Sequence, residues 1–212
     1  MKPKVIFFDF AGTLAYFKQS NQIKFFEPLK KSLKKFGFDI KGEKEMEEFS
    51  SALFNLCGKA ESWVDLSKQI FKVFIKKPKA KDIEGLAEFL KKTFVMSPYD
   101  DIKEILDLPF KKAILSNAPR FLVEELDLKG FEIFTPKDTK FAKPDERAFL
   151  YALKKMKAVP EEALMVGDTL EKDIAPALRL GMGAVLLDRN DKVETLSKKI
   201  NSLGQLKTIL GL

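Results

Sequence analysis

The run Val5-Ile6-Phe7-Phe8, closed by Asp9, is short, β-branched and aromatic, and predicts a buried strand over residues 4–9. Turn chemistry follows at Ala11-Gly12-Thr13. Between about 19 and 95 the spacing becomes helical. Apolar residues recur in four series: Phe26, Leu29, Leu33, Phe36; Met46, Phe49, Leu53, Leu56; Trp63, Leu66, Ile70, Phe74; and Ile83, Leu86, Leu90, Phe94. Steps of three and four place each series on one face, so four amphipathic helices are predicted. Gly37, Gly42, Gly58 and Lys77-Pro78 separate them. Cys57 follows Leu53 by four and reads as core filler.

After Ser97-Pro98 short strands alternate with helices. Strands are predicted at 112–115, 131–134, 163–166 and 184–187. Helices are predicted at about 119–127, 145–157 and 171–180, with further helices at the end of the chain. Pro176 fits the 171–180 segment if that helix begins near Asp173 and holds the proline in its first turn. Strands alternating with helices predict an α/β core, a Rossmann-like parallel sheet with helices on both faces. The core would comprise residues 1–15 and 97–212, with a helical domain of residues 16–96 inserted after the first strand.

Composition then narrows the chemistry. With 45% apolar residues in 212, the chain can bury a core, and no uncharged stretch approaches the ~18 residues of a membrane span. The four apolar residues before Asp9 are too few for a secretory leader, which predicts a cytoplasmic protein. The net charge of +7 is dispersed in lysine pairs along solvated helix faces, and arginine is scarce. That pattern predicts no nucleic-acid partner and suits attraction of small anionic substrates. Histidine is absent and Cys57 stands alone. Ser-His-Asp and Cys-His nucleophile systems and His-based metal sites are thereby excluded.

In open parallel sheets ligands bind beyond the carboxyl ends of the strands. The predicted strands end at Asp9, at Ser116-Asn117 and at Gly167-Asp168. Asp173 follows five residues after Asp168, and Lys143-Pro144 precedes the helix that feeds the 163–166 strand. Carboxylates gathered at one point repel unless a cation sits among them, and an oxygen-only donor set suits Mg²⁺. A Ser hydroxyl, main-chain N–H groups after Asp9 and Ser116, and a lysine are what a transferring phosphoryl group needs. An aspartate can itself attack phosphorus.

The ordered segments Val5 to Leu14, Ile114-Leu115-Ser116-Asn117, Lys143-Pro144 and Ala163 to Ile174 resemble the haloacid dehalogenase-like superfamily, in its type with a small α-helical cap. The resemblance implies that Asp9 is the nucleophile and that Ser116 and Lys143 act with it. It implies phosphate contacts from Gly12, Thr13, Ser116, Asn117 and Lys143. Mg²⁺ would be held by Asp9, Asp168, Asp173 and the backbone carbonyl of Ala11. The activity implied is hydrolysis of a small phosphorylated metabolite.

One position departs from the family. Its phosphatases usually carry a second aspartate two residues after the nucleophile, as acid and base, and here that position is Ala11. Three alternatives follow. A 2-haloacid dehalogenase also lacks that aspartate, but needs no metal and should not keep the Asp168–Asp173 motif. A phosphonoacetaldehyde hydrolase-like enzyme carries alanine there, keeps Mg²⁺ and forms a Schiff base with a cap lysine. A non-catalytic relative would merely bind phosphate or a protein partner.

Overall fold

A computed structural model describes residues 2–18, 30–74, 77–195 and 197–212, without the side chains at 43, 50, 51, 54, 55 and 57. Phe26, Leu29 and the Cys57 side chain lie outside the described residues, and so do the expectations attached to them. The chain divides into two units, Met1–Tyr16 with Ser97–Leu212, and Phe17–Met96.

The strands are β1 (Val5–Phe8), β2 (Ala15–Phe17), β3 (Met96–Pro98), β4 (Lys111–Leu115), β5 (Phe131–Phe134), β6 (Ala163–Gly167), β7 (Gly183–Leu187) and β8 (Lys199–Ile200). Six of them form one sheet in the order β5-β4-β1-β6-β7-β8, while β2 pairs with β3. Every pair in the large sheet is parallel. All four residues of β1 are buried, as a central strand covered on both faces requires. On one face Val5, Phe7, Ala113, Leu115 and Met165 pack with Phe149, Ala152, Leu153 and Ala177 in one apolar cluster. The alternate residues Ile6, Phe8, Ile114 and Val166 are buried as well. From β1 the chain builds outward through β4 and β5, then returns to the other side of β1 for β6, β7 and β8. The reversal of strand order falls beside β1, so its carboxyl end is where a ligand site is expected.

Two expectations at the end of the chain need correction. A sixth strand, Lys199–Ile200, pairs with β7, and among the described residues one helix, Gln205–Leu210, closes the chain. Two residues are too few for periodicity to reveal a strand. The 171–180 segment also begins differently. Leu170–Ile174 is a π-turn, and the α-helix proper is Ala175–Arg179, with Pro176 in its first turn. The proline lacks an N–H, which that position does not need.

The second unit contains helices at residues 30–35, Glu43–Cys57, Trp63–Phe74 and Ala80–Thr93. Its interior is built on aromatic rings. Phe38 lies 5.6 Å from Phe49 and 5.2 Å from Phe71, and Trp63 stacks on Phe94 at 6.3 Å. Leu33, Leu66, Ile70, Leu86 and Leu90 are fully buried, as the helical spacing predicts. Phe74 ends its helix 40% exposed, its ring against Phe38 and Phe49. Among the described residues no helix is long and apolar enough to cross a membrane.

Candidate active site

Register brings the strand ends level. Phe8 lies opposite Ile114 of β4 and Val166 of β6, so Asp9, Ser116 and Asp168 each fall one or two residues past aligned positions. The Asp9 N–H donates to the Val166 carbonyl (2.9 Å), which continues the ladder to Asp9 itself. The π-turn after Thr169 then folds Asp173 back beneath the end of β6. There its N–H donates to the Thr169 carbonyl (2.9 Å), and its Oδ2 accepts from the Thr169 N–H (3.1 Å). Widened helical turns of this kind recur at functional sites.

Asp9, Asp168 and Asp173 each present a carboxylate oxygen within 4.8 Å of the other two. The Lys143 ammonium donates to Asp9 Oδ1 (2.7 Å) and to Asp173 Oδ1 (2.5 Å), and Lys143 is 4% exposed. Three carboxylates thus face one ammonium in a largely buried place. Burial, then the charges of Asp9 and Asp173, push Asp168 up to about 7. Burial also pushes Asp173 up to about 6, with Lys143 pulling it down and Asp9 raising it. Burial works against the Lys143 ammonium too, but Asp9 and Asp173 outweigh it and hold its pKa above the usual lysine value.

Two glycines make room for this cluster. Gly12 has φ +90°, and a Cβ there would fall on Asp168 Oδ2. A Cβ on Gly167 would lie 2.5 Å from Asp173 Cβ, Cγ and Oδ2. The backbone therefore yields side-chain volume so that like charges can converge. Without a cation that convergence is unfavourable, and the all-oxygen donor set fits a hard divalent ion such as Mg²⁺.

This arrangement predicts a pH-dependent response to metal. Between about pH 4 and about pH 7 the folded chain holds protons on Asp168 and Asp173 that the unfolded chain has released, so stability without metal falls as pH rises through that window. A cation that requires both groups ionised opposes the loss. The rise in melting temperature caused by Mg²⁺ is expected to grow from near zero at pH 5 to several degrees at pH 8, as scanning fluorimetry with and without chelator would show. A metal effect independent of pH would contradict it.

The remaining site residues divide. Ser116 is buried, and its Oγ accepts from the Ala118 N–H (3.1 Å), which leaves the hydroxyl proton to donate. The Asn117 side chain has another task. Its Oδ1 accepts from the Lys143 N–H (2.8 Å) and its Nδ2 donates to the Lys143 carbonyl (2.8 Å). Both ends of the amide thus engage the Lys143 backbone, and Asn117 fixes the residue that carries the ammonium. The Gly12 N–H donates to the Ala15 carbonyl (2.7 Å), and Thr13 is wholly buried. Ala11 and Asn117 are partly exposed, and their N–H groups have no backbone acceptor among the described residues.

Sequence reasoning missed two contributors. Gly167 marks only the end of a strand in the sequence, whereas in the fold it clears space for Asp173. Arg189 was not singled out, although it stands two residues past the end of β7, on the ligand-binding edge, and that position was the available signal. It donates to the Thr13 carbonyl (2.8 Å) and pairs with Asp101 through both terminal guanidinium nitrogens, Nη1 and Nη2.

Known proteins share the family pattern and the fold of this chain. The haloacid dehalogenase-like hydrolase family pattern matches residues 3–181. A glyceraldehyde 3-phosphate phosphatase from Methanothermobacter thermautotrophicus is 35% identical over 88 residues, 37% of this chain and 39% of that protein, so the match spans about two fifths of the relative's length. A HAD phosphatase from Thermococcus onnurineus superposes with a TM-score of 0.67 at 27% identity, covering 98% of each chain. The HAD family enzyme BT-2542 from Bacteroides thetaiotaomicron, solved with magnesium and inorganic phosphate, shares the fold at 16% identity (TM-score 0.63; 90% of this chain, 96% of that one). With its parallel sheet, its acidic strand ends and a family match over most of its length, the chain belongs to the haloacid dehalogenase-like hydrolases.

Proposed function

We propose that this hydrolase is a Mg²⁺-dependent phosphatase of a small phosphorylated metabolite, working through an aspartyl-phosphate on Asp9. The observation that carries the reading is the convergence of Asp9, Asp168 and Asp173 around one point, with Lys143 bridging the first and last. The phosphatase relatives support it, and the partly matched glyceraldehyde 3-phosphate phosphatase points toward a triose-phosphate-sized substrate.

Lys143 holds Asp9 Oδ1, which orients the carboxylate and leaves Oδ2 as the attacking oxygen. Attack forms the Asp9–phosphorus bond as the bond to the leaving group breaks. A water then attacks phosphorus, releasing inorganic phosphate and restoring the Asp9 carboxylate. The Ser116 hydroxyl and the N–H groups of Ala11 and Asn117 are suited to the non-bridging oxygens, where fixed donors are worth most as charge develops. Asp9, Asp168, Asp173 and the Ala11 carbonyl would hold Mg²⁺, which neutralises phosphate charge when bound. We assign the helical unit, residues 16–96, the role of a substrate-selecting cap, and the cell interior as the site of action. The direct test is a panel of aryl, acyl and alkyl phosphates with and without Mg²⁺. Turnover dependent on Mg²⁺ is expected, and none with any activated phosphate would leave a binding protein instead.

Ala11 shapes the substrate preference. With no carboxyl there to protonate the leaving group, good leaving groups are favoured. Ala11→Asp is expected to raise kcat for alkyl phosphates by about 10²-fold, and for aryl phosphates far less. Equal gains on both would count against a missing acid. Alanine at this position also favours one second reading, phosphonoacetaldehyde hydrolase-like C–P cleavage. Borohydride trapping with phosphonoacetaldehyde would then label a lysine of residues 16–96, and no label rejects it. The Asp168–Asp173 pair argues against dehalogenation, which needs no metal.

A further inference from the structure

We propose that Arg189 is a positioning residue for the metal site: it fixes the turn Phe10–Leu14, and through that turn the Ala11 carbonyl and the position of Asp168. The proposal rests on the Mg²⁺ reading above. The turn is closed from within by the N–H groups of Leu14 and Ala15, both donating to the Phe10 carbonyl (2.8 and 2.9 Å). Its outer side is held by two neighbouring contacts. Arg189 Nη2 donates to the Thr13 carbonyl (2.8 Å), and the Tyr99 N–H donates to the Leu14 carbonyl (3.0 Å).

Arg189 is itself fixed on three sides. Its Nη1 donates to Asp101 Oδ2 (2.8 Å) and its Nη2 to Asp101 Oδ1 (3.0 Å), a bidentate pair. Its guanidinium carbon lies 3.6 Å from the centroid of the Tyr99 ring. Asp101 is tied to the end of the chain, since its Oδ2 accepts from the Leu203 N–H (2.9 Å). A planar fork is needed for this combination, and an ammonium cannot supply it. The assembly also keeps two buried polar atoms, Thr13 Oγ1 and Arg189 Nε, without a partner among the described residues.

The link to the metal is short. Thr13 follows Gly12, whose Cα has no room for a Cβ beside Asp168 Oδ2. A turn that shifts at Thr13 therefore moves Gly12 against or away from Asp168, and carries the Ala11 carbonyl with it. Partners one step removed from metal ligands act in this way.

The test is calorimetric titration of Mg²⁺ into the wild-type chain, Arg189→Met, Arg189→Lys and Arg120→Met, well below each melting temperature. Arg120 is the control, since it also forms ion pairs, to Glu124 and Asp138, neither of them in the acidic cluster. The Mg²⁺ dissociation constant is expected to rise about tenfold in Arg189→Met and several-fold in Arg189→Lys, and to stay within about twofold of wild type in Arg120→Met. Should Arg189→Met fail to fold, Arg189→Lys decides alone. Wild-type affinity in the Arg189 variants overturns the proposal, and so does an equal loss in Arg120→Met. A wild-type chain that binds no Mg²⁺ rejects the metal reading and this proposal together.

Discussion

Asp9→Asn is expected to lower turnover of every phosphate substrate by at least about 10⁴-fold, because an amide oxygen does not attack phosphorus and no other group stands in its place. The fold should survive. Asparagine keeps the shape and can still accept from Lys143, and one of three mutually repelling charges is gone. Asp9 is among the groups that raise Asp168, so the variant should also hold Asp168 ionised at lower pH. The prediction is therefore double: an inactive protein, and a melting temperature without metal at or above that of the wild type. Steady-state assays and a thermal melt at pH 7.5 check both. Residual turnover near the wild-type level would remove Asp9 from the nucleophile role.

Lys143→Met should produce the largest loss of stability. The methionine fills similar volume, but it leaves Asp9 and Asp173 without the ammonium that compensates them in a buried setting. Breaking a buried ion pair by removing one partner costs about 3–5 kcal/mol. The loss should be greatest at pH 8, where Asp173 is ionised, and smaller at pH 5, where its protonation relieves the repulsion. Mg²⁺ should restore part of it. Turnover at saturating Mg²⁺ is expected to fall by about 10²–10³-fold, the usual effect of removing one fixed donor from developing charge. Urea denaturation at the two pH values, with and without Mg²⁺, separates the terms. A loss of stability independent of pH would mean that the ammonium does not compensate the two carboxylates.

Much of the core was legible because parallel strands buried on both faces read as short apolar runs. Val5–Phe8 and Ala163–Gly167 lie where the runs place them, and the edge strand Phe131–Phe134, with Glu132 exposed, also falls at its expected position. The candidate residues were legible for a related reason, since the carboxyl ends of such strands are where ligand groups belong. Conformation and side-chain allegiance were harder to read. The π-turn at Leu170–Ile174 leaves no periodic signature, although it is what folds Asp173 under Gly167. Asn117 follows Ser116 at a strand end and so reads as a phosphate ligand, yet its amide closes on the backbone of a residue 26 positions away. Arg189 gives no local pattern at all. Its role depends on Thr13, Tyr99 and Asp101, which only the folded chain brings together.

The central claim is that Asp9, Asp168 and Asp173 share a divalent cation. It is tested most directly by titrating Mg²⁺ into the wild-type chain and into Asp168→Asn and Asp173→Asn, and reading the heat of binding at pH 7.5. The account predicts a single ion bound per wild-type chain and affinity reduced by more than about tenfold in each variant. Equal affinity in all three proteins, or no binding by the wild type, would contradict it.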